Sequence, residues 1–92
     1  MEITNKLIKE VYTIMGEYDF ANLISIGCPL DEYKPEAKCL LEQMQEHPQW
    51  EVTKLSTVIT EIYKEYFAGM YEIPKEECRE MAEKILNLVN SK

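Results

Sequence analysis

Apolar residues near the start of the chain recur every three or four positions, as they do on one face of an α-helix. This pattern covers residues 3–18, with charged residues on the opposite side, and Gly16 is expected to fray or end the helix. A short apolar stretch at residues 19–25 then predicts one further helical turn. Asp19 is suited to cap the start of this turn and Gly27 to stop it.

Three more segments show the same helical spacing. The second helix is expected to begin at Pro35, because the fixed φ of proline suits the first turn, and to end at His47 before a proline. The third covers about residues 51–68 and stops at Gly69. The fourth starts near Pro74 and continues towards the end of the printed sequence.

No segment alternates apolar and polar residues over more than a few positions, as a half-buried strand would. The pattern therefore predicts an all-α fold, a small four-helix bundle-like domain with an extra short helical turn in its first connection. A length of 92 residues and a hydrophobic fraction of 46% fit one globular domain over residues 1–92.

The first connection holds the most unusual stretch of the chain. Residues 27–36 carry three carboxylates, a tyrosine and two prolines. Long connections in compact domains tend to be functional when they occur. One interpretation is a protein-interaction loop at residues 28–36, with Tyr33 as aromatic anchor and with Asp31, Glu32 and Glu36 as charged flanks.

A structural interpretation fits the same residues. Carboxylates before and inside the first turn of a helix are stabilised by its exposed amides, so Asp31 and Glu36 are suited to cap the second helix. Pro29 and Pro35 stiffen the backbone before them. Tyr33 would then lie against the bundle, with its hydroxyl bonded to a partner inside the protein.

A divalent-metal or small-ligand site is the competing functional class, with Asp31, Glu32 and Glu36 supplying oxygen atoms. Their spacing does not match the EF-hand calcium loop. A zinc site would have to combine distant side chains without any pair at short spacing. Its candidate ligands are Cys28, Cys39, Cys78 and His47.

The sequence carries no motif for catalysis or for a cofactor. It contains one histidine, His47, and neither a nucleophile motif nor a glycine-rich phosphate loop. Neither an enzyme activity nor a cofactor is therefore predicted. The aromatic and apolar residues around the ends of the third helix are expected to pack in the core or to form a partner patch. They are Trp50, Tyr66, Phe67, Met70 and Tyr71.

The charge balance narrows the class of partner. Seventeen acidic and ten basic residues give a formal net charge of -7, which disfavours nucleic acids and anionic membranes. A basic protein partner, as for an immunity- or antitoxin-like protein, or a homo-oligomer fits better. The three cysteines form no CxxC pair, and no signal peptide or membrane span is evident. Free thiols in the cytoplasm are the expectation.

Several short motifs along the chain resemble an uncharacterised family of small helical bacterial proteins. The family is catalogued as domain of unknown function 1871, the YugE-like proteins. The motifs are an aspartate that opens a short apolar turn, an acidic-x-Tyr-x-x-Glu run, an Ile-Tyr with a following Phe, and a cysteine leading the last helix. In this chain they are Asp19; Asp31, Tyr33 and Glu36; Ile62, Tyr63 and Phe67; and Cys78.

Two positions depart from the family pattern. The family often has Trp-Asp-Pro where this chain has Tyr18-Asp19-Phe20, and an acidic residue is common where Lys34 stands. The second change removes a natural helix cap before Pro35. The resemblance implies an all-helical cytoplasmic protein and implies no activity.

Overall fold

The computed structural model describes residues 2–19, 26–29, 31–69 and 73–91, and most of these residues are helical. No strand occurs in these ranges. The all-α prediction is therefore confirmed. The helices are α1 (Asn5–Tyr18), α2 (Lys34–Glu46), α3 (Val52–Tyr66) and α4 (Lys75–Asn90).

The four helices form a closed ring around one core. α1 packs against α2 and α4, and α3 packs against the same two helices from the other side. Each helix turns its apolar face inwards, which confirms the small four-helix bundle. The buried apolar residues are Leu7, Ile8, Val11, Met15, Tyr33, Ala37, Leu40, Leu41, Met44, Leu55, Val58, Ile59, Ile62, Tyr63, Cys78, Met81, Ala82 and Ile85.

The end of α1 differs from the sequence prediction. The hydroxyl of Thr4 caps the start of this helix by accepting a hydrogen bond from the amide of Leu7 at 3.1 Å. The helix then passes through Gly16 and ends at Tyr18. Asp19 takes the left-handed conformation with φ 47°, and its amide bonds to the carbonyl of Met15 at 2.9 Å. Asp19 therefore closes α1, in the role that had been assigned to Gly16.

The short turn is predicted at residues 19–25, and residues 20–25 of it lie outside the described residues. The other helix boundaries agree with the sequence within two residues. α2 starts one residue before Pro35, and α4 starts one residue after Pro74. Within the described ranges, none of the helices is both long enough and apolar enough to cross a bilayer.

α3 ends through two consecutive residues with positive φ. Ala68 has φ 54° and Gly69 has φ 69°. The amide of Gly69 donates to the carbonyl of Lys64 at 3.0 Å, the hydrogen bond of a Schellman motif. The left-handed position of this motif falls on Ala68, one residue earlier than the predicted stop, so a side chain occupies a conformation that favours glycine.

The α3–α4 contact includes a buried thiol. The Sγ of Cys78 lies 3.4 Å from the carbonyl oxygen of Ser56 and 3.6 Å from the hydroxyl of Thr60. Cys78 is free and buried, whereas Cys28 and Cys39 are free and half-buried. Cys78 thus packs as a small apolar side chain with a weak hydrogen-bond donor.

Candidate functional site

The described part of the first connection presents an exposed loop, residues 26–29 and 31–32. Ile26 is 74% exposed, the largest exposure among the large apolar side chains of the described residues. Pro29 and Asp31 are also exposed, and Glu32 is half-buried. An apolar residue and two carboxylates therefore share one surface segment next to the start of α2.

Backbone hydrogen bonds fold the end of this exposed loop into consecutive turns. The amide of Glu32 donates to the carbonyl of Pro29 at 3.1 Å, and the amide of Lys34 donates to the carbonyl of Asp31 at 3.0 Å. Gly27 has φ 97°, a backbone conformation that residues with a side chain rarely adopt. The turns lead directly into α2, so the helix fixes one end of the exposed loop.

Tyr33 holds the loop to the bundle. Its side chain is 0% exposed, and its hydroxyl donates to Oδ1 of Asp19 at 2.6 Å. The bond joins the residue after α1 to the residue before α2, across fourteen positions of the chain. A hydrogen bond to a carboxylate is shorter and stronger than one between neutral groups. This bond therefore ties the two helix ends together.

Three aromatic rings pack around the hydrogen bond between Tyr33 and Asp19. The rings of Tyr33 and Tyr63 are stacked, with centroids 5.9 Å apart and planes at 20°. Phe67 meets Tyr33 edge-on at 6.3 Å and Tyr63 at 5.7 Å. We call these three residues, with Asp19 and Glu36, the tyrosine cluster. It joins α1, α2 and α3 at one end of the bundle.

Glu36 brings a carboxylate into this interior. Its side chain is 3% exposed, and Oε2 has no hydrogen-bond partner among the described residues. Burial raises the pKa of Glu36, and the charge of Glu32 raises it further, although a bond from its own backbone amide acts in the other direction. Burial also raises the pKa of the Tyr63 hydroxyl, and Tyr33 and Glu36 add to the effect.

The structure divides the four residues predicted to bind a partner. Asp31 is exposed and Glu32 is half-buried, so both can reach another molecule. Tyr33 and Glu36 are buried, and the prediction that Tyr33 anchors a contact surface is revised for this reason. A ring with no accessible surface cannot touch a partner. Tyr33 instead lies against the bundle with its hydroxyl bonded, as the structural interpretation expected.

The predicted capping roles differ in detail from the structure. Tyr33 is the residue before α2, and its own side chain makes no capping hydrogen bond to this helix. Asp31 contributes through its backbone carbonyl, which accepts from Lys34. Glu36 lies in the first turn of α2, where a carboxylate meets the positive end of the helix dipole.

The proposed metal ligands are not assembled into a site. Asp31 points to solvent while Glu36 is buried. Residues 2–19, 26–29, 31–69 and 73–91 contain no group of three or more His, Cys, Asp or Glu side chains that could hold a metal ion. The four zinc-ligand candidates are likewise not brought together within these ranges.

The aromatic residues near the ends of α3 have different surroundings. Phe67 belongs to the tyrosine cluster, and Tyr66 is 46% exposed. Trp50 lies before α3, where its ring stacks on His47 at 4.5 Å with planes at 9°. The predicted positions 70 and 71 fall outside the described residues.

Two features of the site were not predicted. Ile26 was not singled out, because a lone apolar residue after a short apolar stretch reads as part of that stretch. The sequence around Asp19 predicts the start of a turn and gives no sign of the bond to Tyr33, because that bond depends on how α1 and α2 dock. The two prolines and the glycine did indicate that the segment has a fixed backbone.

The chain was compared with family models, with curated proteins and with solved structures, and none of them matches it. The resemblance to domain of unknown function 1871 therefore stays a prediction.

Proposed function

We propose that this chain is a cytosolic protein-interaction module whose contact surface is the exposed loop. The observation that carries the proposal is the 74% exposure of Ile26 beside Asp31 and Glu32. Burial of an exposed isoleucine stabilises a complex by about 25 cal/mol per Å² of apolar surface removed from water. In this role Ile26 replaces Tyr33 as the apolar contact.

The support beneath the loop favours binding. Tyr33 is buried and bonded to Asp19, so the segment leading into α2 is ordered before a partner arrives. A contact surface that is already ordered loses less conformational entropy on association. The tyrosine cluster thus acts on binding indirectly, by holding the exposed loop in place.

The charge of the loop selects the kind of partner. Asp31 and Glu32 carry negative charge on a chain whose formal net charge is -7. Opposite charges steer encounter and orient the partners, so a basic protein is the favoured occupant. An immunity- or antitoxin-like protein that covers a basic toxin is the narrower form of this proposal.

The proposal is tested by capture from a lysate of the source cells with matched variants. Ile26→Asp removes the apolar contact, and a double variant, Asp31→Lys with Glu32→Lys, reverses the charge of the loop. The control reverses two charges elsewhere, with Glu42→Lys and Glu46→Lys on the exposed side of α2. All the substituted side chains except Glu32 are exposed, so helical content measured by circular dichroism should not change.

We expect the native chain and the α2 control to capture the same protein, and both loop variants to lose it. Sedimentation of the purified chain, before and after Ile26→Asp, distinguishes self-association from capture of a different protein. If the α2 control loses the partner as completely as the loop variants, binding depends on total charge and the loop assignment is wrong.

A further inference from the structure

A groove lies at the opposite end of the α1–α2 pair from the tyrosine cluster. It has a volume of about 640 Å³ and lies among the start of α1, the end of α2 and the end of α4. Ligand pockets of proteins are commonly about 300–1,000 Å³, with an apolar lining and a few polar groups. The size of this groove is therefore that of a small-molecule site.

The lining combines an apolar floor with aromatic rings. Leu7, Met44 and Leu86 contribute apolar side chains, and His47 and Trp50 stand at one side as a stacked pair. The ammonium of Lys54 already lies 5.8 Å from the centre of the Trp50 ring. This distance is that of a cation–π contact, and Lys54 itself lies outside the lining of the groove.

The charges around the groove favour a cation. Among the described residues, Glu2 and Glu10 line it, against one basic residue, Lys6. The last turns of α2 and α4 border it, and neither last turn contains a basic residue. The carbonyl end of each helix therefore adds partial negative charge. The start of α1 adds partial positive charge, which counteracts the partial negative charge of the two carbonyl ends. At this start the amide of Leu7 already donates a hydrogen bond to the hydroxyl of Thr4.

We infer that this groove binds a small organic cation, an ammonium group carried on an apolar body. The apolar body would rest on the floor formed by Leu7, Met44 and Leu86. The ammonium would lie towards Glu2, Glu10 and the helix ends. This site is separate from the exposed loop, which is at the other end of α1 and α2, so it does not depend on the proposed function.

The test uses Trp50, the only tryptophan of the chain, as a fluorescent reporter inside the groove. The probe is hexylammonium, and hexanol and hexanoate are neutral and anionic probes of the same length. None of them absorbs where tryptophan is excited. We expect saturable changes in emission with hexylammonium, weaker binding of hexanol and none of hexanoate.

Matched variants place the binding in the groove. Glu2→Gln combined with Glu10→Gln removes two negative charges from the lining. Glu61→Gln combined with Glu65→Gln removes the same charge from the exposed face of α3, away from the groove. We expect the groove variant to bind hexylammonium about three- to tenfold more weakly, as for two exposed ion pairs, and the α3 variant to bind like the native chain.

Each other result overturns the inference. Emission that does not saturate shows that the groove has no site for this chemistry. Equal binding of all three probes shows that charge does not select the ligand. Equal weakening in both variants shows that net charge attracts the cation, without a site in the groove.

Discussion

The two ends of the α1–α2 pair are built from different chemistry. At one end the tyrosine cluster fills the space between helices, and a hydroxyl–carboxylate bond of 2.6 Å joins the helix ends. At the other end the helices leave a groove of about 640 Å³. The filled end contributes to stability and supports a loop, whereas the open end leaves a space lined by apolar and polar side chains. Substitutions should therefore be far more costly at the first end than at the second.

The largest effect should come from Tyr33→Ala. It removes a fully buried ring and its hydrogen bond, and we expect the free energy of unfolding to fall by about 3–5 kcal/mol. Trp50→Ala is the matched truncation at the groove end, where the ring is half-buried, and it should cost clearly less. Urea denaturation of both variants measures the difference. Equal losses would mean that the two ends contribute alike.

Tyr33→Phe separates the hydrogen bond from the ring. The stacked ring remains while the hydrogen bond from residue 33 to Asp19 is lost, so we expect a loss of about 1–3 kcal/mol. Tyr12→Phe, on a half-buried tyrosine of α1, is the control and should change stability by less than about 0.5 kcal/mol. A Tyr33→Phe variant as stable as the native chain would show that packing alone holds this end.

The sequence predicted this end only in part. The helical spacing located α2, α3 and α4 within two residues, because each helix has one continuous apolar face. The helix does not end at Gly16, because continuing it packs Tyr18 against the core and brings Asp19 to Tyr33. That gain comes from a contact across the chain, which local glycine preference cannot reveal. The burial of Tyr33 depends on the same docking.

Glu36→Gln should give a smaller effect of opposite sign. Burial raises the pKa of Glu36 in the folded chain, so folding favours the protonated carboxyl. The stabilisation by the protonated Glu36 carboxyl is fully present below the pKa that Glu36 has in the unfolded chain. It is lost as the pH rises through the pKa that Glu36 has in the folded chain. The neutral amide should therefore be more stable than the native chain at pH 7.

Unfolding of Glu36→Gln and of the native chain, measured from neutral to acid pH, checks this sign. The advantage of the variant should shrink as pH falls. Glu42→Gln, exposed on the same helix, should stay within about 0.5 kcal/mol of the native chain. An advantage of Glu36→Gln that is constant with pH would show that the buried charge is not its cause.

Ala68→Gly should give the smallest effect, and it tests the backbone conformation at the end of α3, next to the tyrosine cluster. Ala68 has φ 54°, which glycine adopts without strain, so we expect a gain of about 0.5–1 kcal/mol in unfolding free energy. Gly69→Ala should lose stability because Gly69 has φ 69°, a backbone conformation that is strained for alanine. The added Cβ would meet open space, so no clash contributes to this loss. Thermal melts of both variants should shift in opposite directions, and shifts of the same sign would contradict the assigned conformations.

The buried thiol between α3 and α4 allows opening of the bundle to be followed in time. Cys28 and Cys39 are partly accessible, whereas Cys78 is buried against Ser56 and Thr60. An alkylating reagent can reach Cys78 only in molecules where α3 and α4 have separated. The alkylation rate of Cys78, followed by mass spectrometry, would therefore report how often this helix pair opens under native conditions.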